Sequence, residues 1–345
     1  MSPDFGSGDA VVSRPLRVVA IGGGTGLSTL LRGLRRHVPA PGGGADYRCA
    51  ISDLAAVVTV TDDGGSSGRL RQDFNMLPPG DLRNCMVALS EEEDLLSRLF
   101  AHRFKTGRAL KGHNFGNLFV AALTEITGDF AQAVQQASKI LATRGRIYPA
   151  TTANATLVAM MDDGTVVRGE TKITASKRRI VELTLDPPDP APLPETLEAI
   201  ERADLITVGP GSLYTSLITN LLVDGIPEAL GKAKGLRVYI SNLMTQANES
   251  LGLTAAEHIE RIYEHTHVPI FDYAVVNSGH FSAETRERYA AEGAAPIAPD
   301  IDRIEKLGVR CVVGDFASEE KVVRHLAGRV ADTVLELAQK QTKNS

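Results

Sequence analysis

Arg17-Val18-Val19-Ala20-Ile21-Gly22-Gly23-Gly24-Thr25-Gly26 runs an apolar strand straight into a glycine-rich turn. Val57-Val58-Thr59-Val60-Thr61-Asp62-Asp63-Gly64-Gly65-Ser66-Ser67-Gly68 repeats the move. Glycine lets the backbone approach a ligand closely and take positive φ. Freed N–H groups with a helix N-terminus behind them favour an anion. Two such loops on one chain point to a diphosphate site on an α/β fold.

Outward from these stretches, strand and helix patterns alternate. Strands are expected at Leu16–Ile21, Ala56–Thr61, Leu205–Val208, Arg237–Ile240, 273–276 and 309–313. Helices are expected at Leu27–His37, Asp81–Leu89, Asp94–His102, Leu118–Ile126, from Asp129 to about Leu141, Glu195–Ala203, 254–265 and from about 319 to the end. Alternation of this kind builds a mainly parallel sheet covered on both faces. The middle changes character. Ala155–Met161 and Thr165–Thr171 flank the turn signal Asp162-Asp163-Gly164, and Val181–Leu185 reads as a further strand. A proline-rich connector follows at 186–194. The expectation is a tail over 1–14, then one α/β domain over 15–342 with a β excursion at about 147–186. Ligands bind such sheets beyond the carboxyl ends of the strands. The polar loops at 22–26, 62–69, 209–216 and 241–245 all follow strands, so one mouth could collect them.

Composition narrows the function classes. At 345 residues the chain should bury roughly 75% of its unfolded surface, so no disulfide or metal staple is needed. Cys49, Cys85 and Cys311 form no C-x-x-C pair and read as reduced thiols. Net charge is −5 with no lysine/arginine run and no tryptophan, which argues against a nucleic-acid partner. No apolar run reaches the ~18 residues of a membrane span. Asp4 and Asp9 precede the first arginine, unlike a secretory signal, so a cytoplasmic location is expected.

The loops then carry the chemistry. Gly23, Gly24, Thr25 and Gly26 read as a phosphate cradle. They miss the dinucleotide fingerprint, whose third glycine would fall at Leu27, and they lack the lysine of a P-loop. Asp62 and Asp63 could coordinate Mg²⁺ or bond a ribose or sugar hydroxyl. Gly64, Gly65 and Ser66 add donors, and Arg69 and Arg71 add positive charge. An acid on an NAD ribose is the competing reading, but Asp62 lies 36 residues past Gly26 rather than ~20. Asp81, with Arg83 and Asn84, reads either as a helix cap or as a site acid. His113 and Asn117 flank a loop-to-helix junction without a metal partner. His265 and His267 read as a surface pair. Gly209, Pro210, Gly211 and Ser212 repeat the strand, glycine and hydroxyl pattern. Asn242 and Thr245 could read a base or sugar edge, and an amide suits a uracil-like edge. No serine or cysteine pairs with a positioned histidine, so no catalytic residue is assigned.

Taken together, Ile21 through Leu27, Asp62 through Arg71, Pro78 through Asn84, His113 through Asn117, Thr127 through Phe130, Gly209 through Ser216 and Ser241 through Gln246 resemble one family. It is the bacterial gluconeogenesis factor family (YvcK-like, UPF0052), of the superfamily shared with 2-phospho-L-lactate transferase (CofD-like). The likeness spans roughly residues 16–280. It implies a Rossmann-like three-layer α/β/α fold. It also implies a cytoplasmic regulator of cell shape and wall (peptidoglycan) synthesis on gluconeogenic carbon. The implied ligand is a UDP-sugar such as UDP-N-acetylglucosamine, bound without turnover. Wall-synthesis proteins and further copies of the chain are the expected partners. The transferase branch moves a phospholactyl group onto a deazaflavin and implies Mg²⁺ as its cofactor. It carries Ser-Asn-Pro where this chain has Gly211-Ser212-Leu213-Tyr214.

Overall fold

The computed structural model describes residues 14–40, 50–91, 95–176, 178–246 and 249–344. Cys49, the expected tail before Arg14 and the glycine-rich stretch at 41–45 lie outside them.

The strands in chain order are β1 (Leu16–Gly22), β2 (Ile51–Val58), β3 (Arg146–Pro149), β4 (Thr156–Met161), β5 (Val166–Arg168), β6 (Ile180–Asp186), β7 (Leu205–Val208), β8 (Leu236–Ile240), β9 (Tyr273–Asn277), β10 (Arg310–Gly314), β11 (Ala317–Glu319) and β12 (Val323–His325). Among the described residues, seven of them form one parallel sheet in the order β10-β9-β8-β7-β1-β2-β3. The central strands β1 and β7 are buried on both faces, which is why, apart from Arg17 and Thr207, they read as apolar runs. Two apolar cores sandwich the sheet. One packs the helices Gly24–Arg35, Gly80–Leu89 and Ala327–Asn344 on one face. The other packs Pro194–Arg202, Ile226–Lys232 and Ala255–Thr266 on the opposite face. This is the expected three-layer α/β/α architecture, with the small antiparallel sheet β5-β4-β6 set into the second core.

Strand order decides where a ligand can go. From β1 the chain moves outward through β2 and β3. It then returns to the other side of β1 with β7 and moves outward again. The order reverses between β1 and β7, and such a switch point opens a crevice at the carboxyl ends. Register brings those ends level: Ile21 pairs with Val57 and Val208, and Val208 pairs with Tyr239.

Several elements depart from expectation. β2 begins at Ile51, five residues early, because Ser52 and Asp53 interrupt its apolar run. Thr165–Thr171 is not one strand: Gly169 turns the chain at φ +94 into a short helix, Glu170–Ala175. β3 joins the main sheet rather than the excursion. A helix starts inside the glycine-serine loop at Gly65. The expected terminal helix from about 319 is preceded by the β11–β12 hairpin and begins at Ala327. His265 is no surface residue: its Nδ1 lies 2.7 Å from the Arg261 carbonyl and its Nε2 accepts from Leu183 N–H, stitching β6 to its helix.

Candidate functional site

At the switch point lies a cavity of about 500 Å³. Its walls are Gly23–Gly26 after β1, Asp62 after β2, Pro210–Ser212 after β7 and Asn242–Gln246 after β8. A smaller chamber of about 220 Å³ adjoins it, walled by Gly64–Ser67, Gly80, Arg83, Asn84, Arg103 and Asn117. Asp62 and Asp81 line both.

Three helices point their N-termini at this space: α1 (Gly24–Arg35), α2 (Gly65–Phe74) and α3 (Gly80–Leu89). The residue before each is Gly23, Gly64 or Pro79, and none supplies a side-chain cap. Their first-turn N–H groups therefore lack intrahelical partners and carry the positive end of the helix dipole. The glycines serve different ends. Gly24 sits at φ +62, where an L side chain is strained, while the space beside it is open. Gly26 is required by packing, because a Cβ there would lie 2.4 Å from the Pro210 carbonyl oxygen. That contact closes the crevice between the loops after β1 and β7.

Asp81 is not the cap of α3 but lies in its first turn. Its carboxylate packs against the start of α1, where a Cβ at Gly23 would lie 2.8 Å from Oδ2. Burial pushes this carboxyl up to about 6; the Gly24 N–H opposes the shift, the Asp62 charge adds to it, and Arg83 and Asn84 oppose it. Glu170, brought in by the turn at Gly169, lines the cavity and accepts from the Thr61 hydroxyl. Burial, then the charges of Asp62 and Asp81, hold it well above the usual carboxylate range.

The structure divides the expected residues. Gly23, Gly24, Thr25, Gly26, Asp62, Asp81, Pro210, Gly211, Ser212, Asn242 and Thr245 meet in the main cavity. Gly64, Gly65, Ser66, Arg83, Asn84 and Asn117 meet in the adjoining chamber. Asp63 is turned away: Thr171 N–H and its hydroxyl donate to it at 2.8 and 2.6 Å, so it tethers the Glu170 helix. Asp62 therefore faces Asp81 in the site, not Asp63. Arg69 donates to the Lys111 carbonyl and Arg71 to those of Thr61 and Ala155. Both hold loops in place, and neither lines the cavity. His113 Nδ1 lies 3.2 Å from the Ser66 hydroxyl and steadies α2. Gly209, at φ +93, supports the turn from behind, against the Ile240 carbonyl. Asn242 lines the cavity with one amide hydrogen and one lone pair left after holding its neighbour. It accepts Gly211 N–H and donates to the Gly211 carbonyl, clamping the loop.

Sequence reasoning missed Glu170, Glu249, Tyr289 and the hairpin residues Val322, Val323 and His325. Glu249 accepts from Tyr214 N–H, Thr215 N–H and the Thr215 hydroxyl, so it caps the π-helical run Leu213–Ile218. The third glycine loop thus spends its helix terminus on an internal carboxylate. His325 Nε2 donates to the Ser241 carbonyl, and burial lowers this histidine to about 4. Apart from Glu249, which does not line it, these residues are brought to the cavity by the fold from weakly patterned segments far along the chain.

For a metal, Asp62 and Asp81 suit the mode in which Mg²⁺ takes one or two carboxylates and completes its shell with phosphate oxygens and water. Among the described residues, no group of three or more His, Cys, Asp or Glu could hold an ion alone. The described residues also contain no helix long and apolar enough to cross a membrane.

Comparison with known proteins matches residues 18–317 to a family described as 2-phospho-L-lactate transferase CofD. A gluconeogenesis factor of Halalkalibacterium halodurans is 46% identical over 92% of this chain and 95% of its own. The gluconeogenesis factor of Bacillus subtilis is 44% identical over 93% of this chain and 98% of its own. A crystal structure of a UPF0052 family member from Bacillus halodurans superimposes with a TM-score of 0.87 at 44% identity, covering 93% of this chain and 99% of that one.

Proposed function

The chain belongs to the CofD family, among its gluconeogenesis-factor members, and from that premise we propose that it is a regulatory protein that binds a UDP-sugar reversibly. UDP-N-acetylglucosamine is the expected effector, and the bound form would report precursor supply to wall synthesis. One observation carries the reading: the start of α1 opens on the crevice at the switch point and the starts of α2 and α3 on the chamber beside it, and none of the three N-cap residues supplies a side-chain cap. That arrangement suits a diphosphate, and the cavity volume falls within the range of small-ligand sites. Mg²⁺, if bound through Asp62 and Asp81, would neutralise charge on the diphosphate oxygens. Calorimetry with UDP-N-acetylglucosamine, followed by long incubation and product analysis, tests the proposal. Saturable binding without product supports it; absence of binding overturns it.

A second reading, transferase chemistry of the phospholactate type, has its own observation. A carboxyl held at about 6, as Asp81 is, suits a general base near neutral pH. Turnover of a deazaflavin with the phospholactyl nucleotide, lost in Asp81→Asn, would favour it over the regulatory reading.

A further inference from the structure

The adjoining chamber is built differently from the diphosphate cradle. Arg83 is partly buried in its wall. Its hydrogen-bond partner among the described residues is the neighbouring Asn84 Oδ1, and its Nε is buried with no partner. No described carboxylate lies within ion-pair distance of it. Arg103, across the chamber, donates to the Gly112 carbonyl and likewise lacks a carboxylate partner. Burial and then the Arg103 charge lower the Arg83 guanidinium from its ordinary value, and the Asp81 and Asp62 charges oppose them. A half-buried guanidinium that bonds no carboxylate keeps donors for a ligand, and an oxyanion is the group its fork geometry fits.

A second observation is independent of charge. Asn117 is only 2% exposed, and its Oδ1 is buried without a partner at the chamber wall. Its Nδ2 meets the Ser67 hydroxyl at 3.4 Å. That hydroxyl can donate as well as accept, so the amide can turn and present its NH₂ to the chamber. The uncapped starts of α2 and α3 add N–H donors from two further sides. The segment 102–112, which brings Arg103 to the chamber wall, also carries Lys105, Arg108 and Lys111 and no acid.

We propose that this chamber is an anion subsite, which holds a carboxylate or phosphate carried on the ligand beyond its diphosphate or brought by a second small molecule. The inference rests on the nucleotide-sugar reading for the cavity next door, with which it shares Asp62 and Asp81. Those two acids face both chambers, so the Arg83 and Arg103 side must hold the anion.

UDP-glucuronate and UDP-glucose differ at one carbon, a carboxylate against a hydroxymethyl, and calorimetry of the pair is the test. The wild type should prefer UDP-glucuronate by at least about tenfold, which is ~1.4 kcal/mol. Arg103→Gln, an exposed position safe for folding, should shrink that preference, as should Arg83→Gln. Equal affinities, with orthophosphate binding to the UDP-loaded protein in an Arg103-dependent way, would assign the anion to a second molecule. No preference and no orthophosphate binding overturns the subsite. If UDP itself fails to bind, the nucleotide reading falls instead, and orthophosphate titrated onto the free protein still decides the chamber.

Discussion

The Asp81 carboxylate lies against the Gly23-Gly24 backbone, where a Cβ at Gly23 would sit 2.8 Å from its Oδ2, so the first turn of α3 packs on the start of α1. An acid thereby sits where an anionic ligand should dock. Its carboxyl is held near 6 by burial, so it carries most of a negative charge at pH 7 and little at pH 5. Binding of a UDP-sugar without metal should therefore tighten as pH falls from 7.5 to 5.5. The diphosphate diester of a UDP-sugar does not titrate in that range, so the change belongs to the protein. Asp81→Asn should flatten the profile; a wild-type affinity independent of pH would remove Asp81 from the ligand's surroundings.

The same shift bears on stability. A carboxyl whose folded value is raised favours the protonated folded state, so stability falls as pH rises from about 4 to 6. Asp81→Asn should raise the melting temperature relative to wild type by an amount that grows across that window and is constant above it. An increment that does not change with pH would show that the carboxyl ionises normally.

His258 and His325 have the opposite sign. Burial lowers both to about 4, His258 beside the Tyr239 hydroxyl and His325 against the Ser241 carbonyl. Each stays neutral in the fold while the unfolded chain takes up protons below about 6.5, so each costs stability as pH falls from 6.5 to 4. Imidazole ¹⁵N shifts should show two rings that remain neutral at pH 5. Titration of both near 6.5 would mean that neither is buried in solution.

Gly26→Ala tests the closure of the crevice. Its Cβ would meet the Pro210 carbonyl at 2.4 Å and the Gly211 Cα at 3.1 Å, and backbone cannot yield as a side-chain tip can. The cost should be about 1–3 kcal/mol in denaturant unfolding, with ligand affinity reduced through the displaced Gly211 loop. A variant as stable as wild type would mean that the β1 and β7 loops are not in contact.

Mg²⁺ should matter through Asp62. Removing the metal should weaken UDP-sugar binding in wild type, and Asp62→Asn should make affinity independent of Mg²⁺. Asp63→Asn should instead loosen the Glu170 helix and leave the metal response in place, since Thr171 occupies that carboxylate. An Asp63 variant that loses the metal response would reverse this assignment.

Much of this was legible in the sequence. The strands flanking the switch point, Leu16–Gly22 and Leu205–Val208, are mostly apolar because both faces are buried, and each runs into a glycine turn. The cradle residues Gly23–Gly26 and Gly211–Ser212 follow from that pattern alone. Side-chain direction did not. Asp62 and Asp63 are adjacent and chemically identical, yet one faces the cavity and the other tethers a helix. Asn242 has the chemistry to read a base but commits one donor and one acceptor to Gly211. Glu170 and His325 reach the site only through a glycine turn and a terminal hairpin, which no local periodicity announces. The α2 helix was hidden because Gly65, Ser66, Ser67 and Gly68 are weak helix formers, held by an approach in which a Cβ at Gly68 would lie 1.9 Å from the Asp63 carbonyl.

A crystal structure with UDP-N-acetylglucosamine soaked to saturation tests the central claim most directly. The account predicts diphosphate density against the N–H groups of Thr25 and Gly26 at the start of α1, between the Gly23–Gly26 and Gly211–Ser212 loops, with Asp62 and Asp81 alongside. Density elsewhere, such as the groove between Gln135 and Tyr148 beside the edge strand β3, or an empty crevice at saturating ligand, would contradict it.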